Sequence, residues 1–164
     1  MLFHLFQAVQ DLPVSIAIRE SLWLYPIIET THVLSLCLFL GLVTMMDLRL
    51  VSATLRTASV TEVQQRLFPW QMVGLALMTV SGLLLLLSEP LRFYGNPFFR
   101  AKVILLVLAI ANAAAFHTGV YTRVAQWDTQ PVPPVAARVA GGLSILLWVG
   151  VVTAGRMIAY NWFK

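Results

Sequence analysis

Residues 101–123 read AKVILLVLAIANAAAFHTGVYTR. No charged residue falls between Lys102 and Arg123. About 20 residues at ~1.5 Å each reach across a ~30 Å hydrocarbon layer, so this stretch predicts a membrane-spanning helix. Two polar side chains lie inside it, Asn112 and His117. A polar group in hydrocarbon is expensive and needs a partner or a task. The rest of the chain is expected to form a bundle that gives His117 a dry, enclosed setting.

The composition agrees. Hydrophobic residues make up 59% of the 164-residue chain and charged residues 11%. Soluble domains carry roughly 45–50% and 25%. A water-soluble domain of this size could not hide so much apolar surface, so the chain reads as an integral membrane protein. The net charge of +4 would suggest nucleic acid in a soluble protein. Here the bases flank apolar runs, and anchoring at lipid headgroups explains them better. The single cysteine, Cys37, excludes an internal disulfide. The first apolar stretch, MLFHLFQAV, is too short and lacks the basic start of a cleavable signal peptide.

Working outward, three further apolar runs predict spans. With the opening stretch, the four spans cover about 22–46, 69–87, 102–122 and 135–160. Leu2, Leu5, Phe6 and Val9 follow i, i+3, i+4, i+7 spacing, and residues 1–20 are expected to lie in the interface as an amphipathic helix, interrupted by Pro13 before a second apolar piece, Val14 to Ile18. Asn161, Trp162, Phe163 and Lys164 are expected to end the chain there too. Short loops favour neighbouring antiparallel helices. The expected fold is all-α, an up-down four-helix membrane bundle in one domain with an N-terminal interfacial helix. Basic residues are almost evenly divided between the two sides, so orientation cannot be read from them.

Counting ~1.5 Å per residue from each span's midpoint predicts two polar levels. On the side of the termini lie Glu29 and His32 from the first span and Arg156 from the last, with Lys102 somewhat further out. Glu29 and Arg156 fall at nearly equal depth and are expected to pair, because an unpaired charge there is costly. The group is either a structural clasp or a proton path or quinone headgroup site with His32 as its titrating member. The other level holds His117, with Gly41, Gln71, Gly74, Gly141, Gly142 and Ser144 from the other spans. Small residues at one level either let backbones approach or leave room for something flat. A porphyrin is flat, and imidazole is a common axial ligand of haem iron. His117 and His32 are the candidate iron ligands. They differ in depth by about seven residues, or roughly 11 Å, which suits two separate sites better than one clamp. Tight packing, with His117 bonded to Ser144 or a backbone carbonyl, explains the second level equally. His4 reads as a surface residue. Glu29 and His32 could begin a zinc set, but no further ligands follow at metal spacing. No nucleophile elbow, phosphate loop or nucleic-acid motif is present.

The strings WLYPIIETTH (23–32), MDLRL (46–50), NPFFRAK (96–102) and GRMIAY (155–160) resemble an uncharacterised family of short, four-span bacterial inner-membrane proteins, a domain of unknown function. More loosely, the layout is similar to small b-type cytochromes and to membrane proteins of the copper-resistance D type. That likeness implies a haem b protein passing electrons, between quinone and a partner protein. Glu29, Arg156 and Lys102 would then serve a proton or a propionate. The alternative is a cofactor-free accessory subunit packed against a larger membrane complex, with Trp70, Trp148 and the glycines as packing elements. A small transporter using Glu29 and His32 is a third.

Overall fold

The structure, a computed structural model, describes residues 2–160. The chain opens with two short helices, α1 (Leu2–Gln10) and α2 (Pro13–Glu20). The interruption expected at Pro13 separates the two pieces. Pro13 starts the second piece at the position where a missing amide costs least. The Ser15 hydroxyl donates to the Val9 carbonyl at 2.7 Å and ties the two pieces together. Phe6 packs on Tyr94 at 5.2 Å between ring centres. Met1, residues 161–164 and the side chains of Leu2 and Leu5 lie outside what is described, and with them that part of the amphipathic pattern and the interfacial ending.

Four long apolar helices follow: α3 (Leu24–Leu50), α4 (Val60–Ser88), α6 and α7 (Val135–Met157), with the short α5 (Pro90–Gly95) before α6. The third span starts as α6 (Pro97–Ala115), widens into a π turn at Phe116–Val120, then tightens to a 3₁₀ segment at Tyr121–Gln126. Each of the four is long and apolar enough to cross a membrane. Among the described residues there is no strand. The molecule is thus an all-helical, multi-pass membrane protein.

The second span begins nine residues before Pro69, at Val60. That early start is stabilised from outside the helix. The Ser59 hydroxyl accepts from Glu62 N at 3.0 Å. The Asp128 carboxylate accepts from Thr61 N at 2.7 Å. The Asp128 carbonyl accepts from Val60 N at 3.1 Å. Amides that a helix start leaves unpaired are therefore satisfied, two of them by a loop far along the chain.

α3 and α4 form one hairpin, and α6 and α7 form a second. The hairpins meet along α3 and α7, where Phe39 and Trp148 stack edge to face at 5.1 Å. α4 and α6 make no extended contact, so the bundle is open on that flank. α6 is the least buried span. The main apolar core sits at one end rather than midway, in Met46, Leu50, Val60, Val63, Phe116, Trp127 and Ala137.

Candidate functional site

The level of small residues is closed. A Cβ on Gly74 would lie 3.0 Å from the Phe39 Cβ and 3.1 Å from its Cα, so α4 runs directly against α3. A Cβ on Gly141 would meet Leu50 Cβ at 3.0 Å and the Asp47 carbonyl at 3.1 Å. Gly41 is exposed and nothing approaches the place of its Cβ within 4 Å. Gln71 Nε2 donates to the Leu42 carbonyl at 3.2 Å, and Ser144 turns towards Asp47. These groups join helices and do not converge on His117.

His117 is exposed. It lies on the π turn, and its ring meets Phe116 and Tyr121 edge on, each at 5.3 Å. Among the described residues it has no hydrogen-bond partner. Asn112, one polar neighbour on the same span, does have one: its Nδ2 donates to the Ala140 carbonyl at 3.0 Å and binds α6 to α7. The enclosed setting expected for His117 is therefore corrected. The extra residue wound into the π turn changes the side to which everything beyond it points.

The level near the termini is also rearranged. The expected Glu29–Arg156 pair does not form. Both residues are exposed, and the Arg156 guanidinium lies over the Tyr160 ring at 5.5 Å. Ion pairs among the described residues are Arg66–Glu62 at 2.8 Å and Arg92–Glu89 at 2.6 Å, both on exposed loops or helix ends. The Glu89 carboxylate beside it raises Arg92 above its usual pKa. Lys102 is half-buried against Gly155, with Nζ 3.5 Å from the place of a Gly155 Cβ, and no carboxylate among the described residues pairs with it.

His32 is half-buried between α3 and α4. Its Nδ1 is 3.0 Å from the Ser81 hydroxyl oxygen. Gly82 makes room for the ring, since a Cβ there would come within 3.0 Å of His32 Cε1. The Lys102 ammonium is near enough to act on the imidazole electrostatically. His32, Ser81, Gly82, Lys102 and Gly155 thus form one polar level in the half of the bilayer nearer the termini. His32 and His117 are not brought together, and Glu29 and Arg156 stand outside the group.

Sequence reasoning passed over the largest fully buried side chain among the described residues. Arg49, at the end of α3, is 0% exposed. Its Nε donates to the Ala58 carbonyl at 3.0 Å and its Nη2 to the Gln130 carbonyl at 3.0 Å. The guanidinium fork suits several acceptors at once and fastens the α3 end to two loops. Asp47 and Ser52 are buried nearby in sequence, and Asp47 Oδ2, Arg49 Nη1 and Ser52 Oγ have no partner among the described residues. No group of three or more metal-ligating side chains gathers among the described residues.

Fold and polar levels together define a small multi-pass helical membrane protein with intramembrane imidazoles. The chain belongs to the family described as Family of unknown function (DUF6644), whose pattern matches residues 24–161. No curated protein and no solved structure matches it.

Proposed function

We infer that this chain is a subunit of a larger membrane assembly, joined to a partner's membrane helix along the outer face of α6. One observation carries the reading. His117 presents an imidazole with no hydrogen-bond partner on an exposed face, about 7 Å from the middle of the charge-free run 103–122. Lipid offers such a ring nothing, and polar groups at that depth normally face protein. The third span, which carries it, is the least covered of the four. Polar side chains facing another helix act as interhelical glue in membranes.

The test is extraction in a mild detergent followed by sizing. The wild type should run in a complex well above the 18.3 kDa chain in its micelle. His117→Leu should release it as a folded single chain. A single chain in both cases would overturn the reading.

A second reading has the assembly carry electrons, with His117 as an axial ligand to a haem b at the partner interface. The availability of its ring nitrogens favours this. Haem would supply a one-electron redox centre; this chain would supply an imidazole and an apolar wall. The closed contacts at Gly74 and Gly141 leave that interface, not the bundle interior, as the place for it. A Soret band in the purified assembly, lost in His117→Ala and kept in His32→Ala, would support it.

A further inference from the structure

The Ser81 hydroxyl has one proton, and that proton is committed. Ser81 Oγ donates to the Leu77 carbonyl at 2.6 Å. The 3.0 Å contact with His32 must then run the other way, with His32 Nδ1–H donating to Ser81 Oγ. A neutral ring protonated on Nδ1 carries its lone pair on Nε2. The ring also reaches the Met78 carbonyl, itself 3.2 Å from Ser81 Oγ and so on the Nδ1 side, and no bond to Nε2 is seen among the described residues. So α4 fixes the tautomer and Gly82 fixes the place of the ring, leaving an acceptor nitrogen free.

The contact register puts Lys102 at the same height. Along α3 and α4, Phe39 meets Gly74, and seven residues further His32 meets Ser81. Along α3 and α7, Phe39 meets Trp148, and seven residues further along the antiparallel helix lies Gly155, which holds Lys102. An acceptor nitrogen and an ammonium with no carboxylate partner among the described residues thus share one level. One belongs to the α3/α4 hairpin and the other to the α6/α7 hairpin. Between α4 and α6, where the bundle is open, a molecule dissolved in the bilayer can reach that level from the side.

We propose that His32 and Lys102 bind the headgroup of a membrane quinol, whose hydroxyl donates to His32 Nε2 while Lys102 donates to a ring oxygen. A phospholipid phosphate diester has no proton to give Nε2 and satisfies only Lys102. A quinol satisfies both, and its isoprenoid-like tail lies in lipid through the open flank. Binding alone is assigned. The oxidised quinone, lacking the hydroxyl, is held by Lys102 only.

The full-length protein in phosphatidylcholine nanodiscs, titrated under argon with a decyl-substituted benzoquinol, provides the test. The quinol should bind at least about tenfold tighter than the matching quinone, the factor that one lost hydrogen bond produces. His32→Asn keeps a donor where Nδ1 stands, and so keeps the Ser81 bond and the melting temperature, but has no Nε2. It should weaken quinol binding about tenfold and leave quinone binding unchanged. Lys102→Gln should weaken both. Absent binding in the wild type, equal affinity for quinol and quinone, or unchanged quinol affinity in His32→Asn would each overturn the proposal. So would displacement of the quinol by phosphatidylglycerol vesicles at a site that His32→Asn leaves intact, which would identify an anionic lipid as the ligand.

Discussion

The Asp128 carboxylate accepts the Thr61 amide at 2.7 Å, although the two residues are 67 positions apart. A loop after the third span thereby caps the helix that forms the second. The carboxylate also opposes the positive end of the α4 dipole. Asp128→Ala should lower stability by about 1–2 kcal/mol, as lost N-caps do. Asp128→Asn keeps an acceptor and should cost about half as much. Thermal unfolding in detergent, followed by circular dichroism, measures both.

Arg49 is the second tie between the same loops. Truncation to Ala strands the Ala58 and Gln130 carbonyls and leaves a cavity, so Arg49→Ala should cost roughly 3 kcal/mol or more. Lysine keeps the charge but not the fork, and Arg49→Lys should recover less than half of that loss, roughly 1 kcal/mol. Equal melting temperatures for Arg49→Ala and wild type would remove the latch from this account.

α3 ends in a Schellman turn. Ala53 N donates to the Leu48 carbonyl at 2.9 Å and Ser52 N to the Arg49 carbonyl at 3.2 Å. Ser52 occupies the left-handed position, at φ 62°, where glycine is usual. Its buried hydroxyl is also unpartnered. Ser52→Gly removes both costs and should raise stability by about 1 kcal/mol. A fall in melting temperature would contradict this.

Gly74 and Gly41 provide a matched pair. Gly74→Ala drives a methyl into the Phe39 backbone and should cost about 1–3 kcal/mol by separating α3 from α4. Gly41→Ala meets open space and should be neutral or stabilise by up to about 1 kcal/mol through helix propensity. If both substitutions behave alike, close packing at Gly74 is not what holds the hairpin.

The four spans could be read from charge-free length alone, and a polar level around His32, with Lys102 set somewhat further out, from depth counting. Depth, however, gives height along the bilayer normal and says nothing of direction around each helix axis. Glu29 and Arg156 do lie on the expected side, yet both point outward, and no pair forms. His117 was misdirected for the same reason, compounded by a π turn that no apolar period announces. The latch at Arg49 was missed because its partners are backbone groups in distant loops.

The open flank has a mechanical consequence. Two hairpins that meet along α3 and α7, at Phe39 and Trp148, and are tied at one end by Asp128 and Arg49, resemble the covers of a book held by its spine and one corner. Flexing should concentrate at that spine, because within each cover glycines and side-chain amides clamp the paired helices together. The same two rings would then govern how widely the covers part, and with it how fast any greasy visitor enters or departs.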